Sequence, residues 1–279
     1  MSHLPEGNRR SNVDRFSGYK DLYDRYRPGA PSEVIRILTG YLQRKPQLVL
    51  DVGCGTGLST FVWKSDAETI VGIEPNDDMR SKAEEKLRLL QAEDPAAGSI
   101  RFMSGYSNKL EFPDGAADLI TCSQSFHWME PASTLAEAAR VLKPGGIFAA
   151  YDCDWPPTAS WEAEKAYVDL LDHADQLLKE RQSEKDQAVK RDKESHLARI
   201  KESGHFRYAR EIVFHNEETC DSERYIGLAL SQGGLQTCLK LGFTDLDGEI
   251  ERFKALVKDY FLDRTLEVLF SYRMRIGVK

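Results

Sequence analysis

The chain has 279 residues and a formal net charge of −7, with 41% hydrophobic and 30% charged residues. That length can bury a sizeable core as one large domain or as a domain with a lid. The acidic balance argues against a general nucleic-acid binder, which needs a basic field. No apolar run approaches the roughly 20 residues of a membrane span, and residues 1–10 carry no apolar signal-peptide core. Five scattered cysteines, Cys54, Cys122, Cys153, Cys220 and Cys238, form no C-x-x-C pair. They suggest reduced thiols in a cytoplasm and no zinc or other metal site. Cys54 and Cys153 fall near the site described below, as packing residues or as reactive thiols.

Taken in chain order, residues 14–27 space Phe16, Tyr19, Tyr23 and Tyr26 by three or four, which suits one helix face. That face serves a lid or a core contact equally well. Pro28 and Pro31 end it, and a helix over 32–42 follows with Ser32 as N-cap. Leu48 to Val52 reads as a buried parallel strand, and 58–64 as the start of a helix. Thr69 to Ile73 is a second strand, 77–91 a charged helix closed near Pro95, and Ile100 to Met103 a third strand. A fourth strand over 117–122 is entered through the turn Pro113-Asp114-Gly115. A helix over 131–142 stops at Lys143-Pro144-Gly145-Gly146, before a fifth strand at 147–151.

After Tyr151 the texture changes. Residues 161–178 are amphipathic, and 179–202 alternate in sign densely enough to predict a solvated helix. Strands over 207–214 and 269–278 and helices over 222–241 and 253–263 complete the chain. There is no internal repeat or low-complexity tract. Strand–helix alternation with short turns predicts an α/β fold with a doubly wound, mostly parallel sheet. The expected organisation is an N-terminal helical lid over 1–45 and a cofactor-binding core over 46–154. A helical cap over 155–206 is inserted after the fifth strand, and 207–279 complete the sheet with further helices.

The segment Leu48 to Thr60, LVLDVGCGTGLST, carries the chemistry. Gly53, Gly55 and Gly57 let the backbone turn tightly and lie close to a ligand. The pattern is G-x-G-x-G and lacks the last glycine of the dinucleotide fingerprint, so alone it is also consistent with a tight turn and no ligand. Asp51 places a carboxylate at the lip, suited to an ammonium group. Glu74 ends the second strand, where an acid accepts both hydroxyls of a ribose. Together these point to a nucleoside ligand.

Five segments carry a family resemblance: YDRYRPGAP (23–31), DVGCGTG (51–57), VGIEPNDDM (71–79), FPDGAADLITCSQSFHWM (112–129) and ARVLKPGGIFAAYD (139–152). In that order they make the chain resemble a class I S-adenosylmethionine-dependent methyltransferase. The YRP and SFHW segments are similar to the small-molecule, trans-aconitate methyltransferase-like branch. The resemblance implies a seven-stranded Rossmann-like sheet, S-adenosylmethionine as cofactor, S-adenosylhomocysteine as product and a small-molecule acceptor. It implies that Gly53, Gly55 and Gly57 pass under the methionine portion and ribose, with Asp51 near the ammonium and Glu74 on the ribose. Pro75 and Met79 would pack on the adenine. Tyr106 and Ser107 would reach its edge, although the usual Ala-Glu is absent there. Ser123 and Gln124 would line the methionine side. Arg27 would pair the cofactor carboxylate, or else form a surface ion pair.

Methyl transfer from a sulfonium depends mainly on alignment. His127 is the candidate base, or a pocket wall, and Trp128 shapes the cavity or faces the sulfonium. Tyr151, Asp152 and Asp154 close the fifth strand and either face the acceptor or cap the next helix. His173, His196, His205 and His215 read as solvated or packed. SQSF at 123–126 stands where nucleic-acid base methylases carry N-P-P-Y or D-P-P-Y, so neither nucleic acid nor membrane is an expected partner. Two other readings remain open: another nucleoside-cofactor enzyme, such as an aminopropyltransferase or an oxidoreductase, and a catalytically silent binding protein. The acceptor and the oligomeric state are not legible.

Overall fold

The computed structural model describes residues 4–279, with side chains described at all of these except 95 and 96. The first three residues of the expected lid lie outside the described residues. The chain begins with helices α1 (Arg10–Asp14), α2 (Lys20–Tyr26) and α3 (Ser32–Leu42). Strand β1 (Leu48–Val52), β2 (Thr69–Ile73), helix α4 (Asp77–Glu93) and β3 (Ile100–Met103) follow. Then come β4 (Ala117–Ser123), α5 (Pro131–Val141), β5 (Leu142–Cys153), α6 (Trp161–Arg181) and α7 (His196–Glu202). Strand β6 (Tyr208–Cys220), helices α8 (Ser222–Leu230), α9 (Gly233–Lys240) and α10 (Asp247–Phe261), and β7 (Leu266–Val278) complete it.

The seven strands form one sheet in the order β3-β2-β1-β4-β5-β7-β6. β1 to β5 pair in parallel, and β7 enters antiparallel between β5 and β6. This is the expected mostly parallel α/β sheet. Its central strands are buried on both faces, which is why their sequences are continuous apolar runs rather than alternating ones. One face packs Val49, Ile70, Leu119 and Ile147 against Val34 and Leu38 of α3 and Leu87 of α4. The other packs Leu50, Val71, Ile120 and Phe148 against Leu135 and Ala138 of α5 and Ile200 of α7.

Several local expectations are corrected. Residues 14–27 are not one helix, because the chain breaks between α1 and α2 at Gly18, whose φ is +83°. Pro31 is the N-cap of α3, with Ser32 its first helical residue. The helix expected over 58–64 is a single 3₁₀ turn at Phe61–Trp63. Lys143 to Gly146 do not stop before the fifth strand but bulge within it. Ala117↔Leu142 and Leu119↔Ile147 are both partners, so two steps along β4 match five along β5. The helix expected over 222–241 is split into α8 and α9.

The largest correction concerns 179–202. Only 179–181 and 196–202 are helical, and the loop between them lies on the protein rather than in solvent. Arg191 donates its N–H to His127 O (2.9 Å), and Val189 donates its N–H to Asn12 Oδ1 (2.7 Å). Alternating charge cannot distinguish a solvated helix from a loop whose charges find partners in the fold.

The cap is assembled from two stretches of sequence. β7 pairs with β5 only as far as Tyr272↔Cys153, while residues 266–271 continue alongside β6 beyond the end of β5. On this arm sits a separate core of α6, α8, α9 and α10, including Tyr167, Leu235, Phe253 and Phe270. The cap therefore stands past the carboxyl ends of the parallel strands, where open α/β sheets bind ligands. Helix α2 lies between α8 of the cap and α4 of the core. Lys86 and Lys82 of α4 pair with Asp24 and Asp21 (2.6 and 2.9 Å), and Tyr26 of α2 lies on Gly227 of α8.

A Cβ at Gly227 would stand 2.2–2.4 Å from ring atoms of Tyr26. Gly227→Ala gains helix propensity of about 1 kcal/mol but pushes α2 off α8, an overpacking cost of about 1–3 kcal/mol. We expect net destabilisation in urea titration; a variant as stable as wild type would show that α2 is not seated this way.

Candidate functional site: a cofactor cleft beside a larger cavity

The site is built by turns at the carboxyl ends of β1, β2 and β4. The turn after β1 is pinned to the end of β2, with Gly53 and Cys54 both donating N–H groups to Ile73 O (2.8 and 3.2 Å). Gly53, Gly55 and Gly57 adopt φ of +70°, +56° and +83°, which favours glycine at each. They differ in what they face. A Cβ on Gly55 would meet nothing within 4 Å and would enter the cleft, whereas one on Gly57 would strike Phe61 and Phe102. Gly57 thus serves loop packing and does not line the cleft.

The cleft is lined by Arg27, Gly53, Gly55, Glu74, Pro75, Met79, Tyr106, Ser107, Ser123, Gln124 and Trp128, so most of the expected residues converge. Besides Gly57, two expected residues do not. Asp51 is fully buried and accepts from Ser59 Oγ (2.6 Å), Thr60 Oγ1 (2.7 Å) and Thr121 Oγ1 (3.0 Å). Burial nonetheless raises its pKa. It ties the loop to β1 and β4 instead of standing at the lip. His127 lines the neighbouring cavity.

Glu74 faces the cleft while its carboxylate accepts N–H groups from Gly55 (2.9 Å) and Asn76 (2.8 Å). Burial pushes its pKa up to about 7 against those two bonds. Among the described residues Arg27 makes no ion pair. Its Nε and Nη2 donate to Ser231 Oγ and O (3.0 and 3.1 Å), and the guanidinium lies over Tyr23 and Trp155. Gln124 holds φ +48°, its N–H bonded to Tyr151 O and its Oε1 to Trp155 Nε1. Strain of this kind in a non-glycine residue concentrates at functional sites. Ser107 shares a hydrogen bond with Thr134 (2.7 Å), and burial raises the Tyr106 pKa.

The cleft holds about 120 Å³, below the ~300 Å³ of ordinary ligand pockets. It is narrow because Asn8, Asn12, Val13 and Phe16 lie across it. Asn12 fastens this segment, donating to Trp128 O (2.8 Å) and Val189 O (3.1 Å), and Asn76 donates to Val13 O (2.8 Å). The Tyr stripe divides its roles: Tyr23 lines the cleft, Tyr19 is buried, and Tyr26 packs on α8.

Beside the cleft lies a cavity of about 910 Å³ that shares Phe16, Tyr23, Arg27, Gln124 and Trp128 with it. The Arg15 guanidinium lies 4.1 Å from the Trp128 ring centroid. Behind the cavity, Asp152 joins five segments. It faces His127 Nδ1 (3.3 Å), Lys193 Nζ (3.0 Å), Arg275 Nη1 (3.6 Å) and His196 Nε2 (3.8 Å). Burial would raise its pKa, but His127 and Lys193 outweigh that and hold it well below the usual carboxylate range. Burial lowers both His127 and His196 to about 4. His127, Asp152 and His196 lie close enough to share a metal ion, yet Lys193 and Arg275 already neutralise the carboxylate. The set therefore fits an ion-pair cluster.

Asp152 and Asp154 do not cap the next helix, since Ser160 caps α6. Asp154 pairs with Arg273 (3.1 Å), and Tyr151 is buried. His196 is buried against Phe126, His173 bonds Glu249 (2.9 Å), and His205 and His215 are exposed. Cys54 and Cys153 are buried, which raises both thiol pKa values and leaves them unreactive packing residues. Sequence reasoning missed Asn12, Arg15 and the 185–193 loop; Asn76 alone had a signal, standing two places after Glu74.

Residues 50–150 match the Methyltransf_11 family, a methyltransferase domain. In this segment the chain is similar to the class I S-adenosylmethionine-dependent methyltransferases. An uncharacterized methyltransferase of Schizosaccharomyces pombe is 34% identical over 115 residues, 40% of this chain and 41% of that protein. The matches span less than half the length of the first curated relatives. A proposed type II methyltransferase of Anaeromyxobacter dehalogenans shares the fold with a TM-score of 0.65 at 19% identity, over 91% of this chain and 98% of that one. The phosphoethanolamine N-methyltransferase 2 of Haemonchus contortus, solved with S-adenosylhomocysteine, has a TM-score of 0.54 at 18% identity. That likeness covers 97% of this chain and 60% of that one.

Burial puts the Glu74 pKa at about 7, so its capacity to accept hydrogen bonds grows as pH rises through 7. S-adenosylhomocysteine affinity measured by calorimetry should increase from pH 6 to 8. Glu74→Gln should weaken binding at pH 8 by about 1–3 kcal/mol and abolish that pH step. A wild-type pH step that survives in the variant would assign it to another group.

Proposed function

We propose that the chain transfers the methyl group of S-adenosylmethionine to a small-molecule acceptor, releasing S-adenosylhomocysteine. The observation that carries this reading is the shared wall. A donor in the cleft and an acceptor in the larger cavity meet at Phe16, Arg27, Gln124 and Trp128. The residues fit the cofactor: a glycine whose Cβ would enter the cleft, a buried carboxylate two residues before the α4 N-cap, and an arginine without a carboxylate partner. On the YRP and SFHW segments we place the chain in the small-molecule branch.

When bound, the cofactor supplies a methyl group already activated by a sulfonium; the protein supplies alignment. Glu74 holds the ribose hydroxyls, and Pro75 and Met79 pack the base. Arg27 donates toward the amino-acid end. Gln124, fixed by Tyr151 and Trp155, shapes the junction. With Nδ1–H facing Asp152, His127 keeps Nε2 as its acceptor atom. Its pKa of about 4 leaves it neutral at pH 7 but far from the value a general base needs. We therefore assign His127 to orienting the acceptor rather than to titrating with it.

A labelled-methyl screen of the purified chain against cell extract should yield a labelled small molecule identifiable by mass. With that acceptor and saturating cofactor, His127→Ala should lower the rate by the same factor at every pH from 6 to 9. Cofactor binding without any labelled product would contradict the enzymatic reading. A rate ratio that changes steeply across pH 6–7 would restore His127 as a base.

A further inference from the structure

The cavity beside the cofactor cleft carries a charge opposite to that of the chain. Eight Lys and Arg side chains line it against three Asp, in a protein of net charge −7. Two of the cations are already matched, Arg10 with Asp14 (3.9 Å) and Lys193 with Asp152 (3.0 Å). The other six are Arg15, Arg27, Lys179, Lys185, Lys190 and Lys240. None of them forms an ion pair among the described residues. Of the remaining acids, Asp186 accepts from Ser183 Oγ (2.5 Å). Asp175 lies against Gly234 and draws on Arg15 only from a distance.

One of these cations, Arg15, is held where water cannot fully serve it. Arg15 stacks on Trp128, and its buried Nε has no hydrogen-bond partner. A buried donor left unpaired is costly, which favours an acceptor brought to this guanidinium. Lys190 is exposed and lines the same cavity. Desolvation lowers its pKa, as do the charges of Lys193 and Arg15 despite Asp175. Close to these cations the cavity wall is aromatic, formed by Phe16, Tyr23, Trp128 and Trp155. Its volume of about 910 Å³ lies at the upper end for sites that enclose a drug-sized molecule.

We infer that the occupant of this cavity is an anion with a ring-bearing body. Its carboxylate or phosphate is held by Arg15 and Lys190, and its body lies on the aromatic wall. Only in calling that occupant the methyl acceptor does this rest on the proposed function. It also gives the 182–195 loop a role, since that loop brings Lys185, Lys190 and Lys193 to the cavity.

The test is calorimetric titration of the full chain with 2-naphthoate, 2-naphthyl phosphate and the uncharged 2-naphthamide. At least one anion should bind ten times more tightly than the amide and weaken as salt is raised; which one does separates carboxylate from phosphate. Lys190→Gln and Arg15→Gln should each weaken that anion at least tenfold. Lys190→Gln should keep S-adenosylhomocysteine affinity, which shows that it folds and decides the matter if Arg15→Gln does not. Equal binding of amide and anions, no binding of any probe, or wild-type anion affinity in folded Lys190→Gln would overturn the inference. Loss of S-adenosylhomocysteine binding by the wild type, with anion binding intact, would instead contradict the methyltransferase reading alone.

Discussion

The organisation of the site depends on one buried carboxylate, Asp152. It ends β5 beneath the cap and faces His127 from the turn after β4, Lys193 from the 182–195 loop, His196 from α7 and Arg275 from β7. Arg275 in turn donates to Glu211 of β6 (2.7 Å). A fully buried arginine and a fully buried aspartate are each expensive to desolvate, and that cost is offset by Glu211 beside Arg275, by Lys193 and His127 beside Asp152, and by their attraction to each other. The loop that supplies Lys193 is therefore drawn down onto the sheet. That places Lys185, Lys190 and Val189 around the larger cavity. The same contact holds His127 with its Nδ1 turned inward. Electrostatics behind the cavity thus determine the shape in front of it.

A second buried carboxylate does comparable work for the cofactor cleft. Asp51 takes three hydroxyl donors and fixes the loop after β1, while Glu74 takes two backbone N–H groups and remains at the cleft wall. The two acids end neighbouring strands yet have different fates. Asp51 has found enough donors within the protein; Glu74 keeps acceptor capacity and a pKa near 7. This difference in satisfaction, more than proximity to the glycines, separates an acid spent within the fold from one left at the cleft wall.

Much of this was legible in the sequence. The inner strands were readable because buried parallel strands are largely apolar runs, and Leu48 to Val52 and Thr69 to Ile73 fall where those runs lie. Glu74, Pro75, Met79, Ser123 and Gln124 converge because the ends of parallel strands must share one edge of the sheet. Asp51 was misread because its donors, Ser59, Thr60 and Thr121, come from three-dimensional neighbours that spacing does not reveal. The 182–195 loop was misread for the same reason, as its partners Asn12, His127 and Asp152 are distant in sequence. Asn12 itself is an ordinary polar residue until the fold brings Trp128 and Val189 to it.

The central claim is that the cleft at the ends of β1, β2 and β4 takes an S-adenosyl cofactor. The most direct measurement is calorimetric titration of the wild-type chain at pH 8 with S-adenosylhomocysteine and, separately, with NAD. The account predicts one equivalent of S-adenosylhomocysteine bound and no heat with NAD. Binding of NAD without S-adenosylhomocysteine would contradict it.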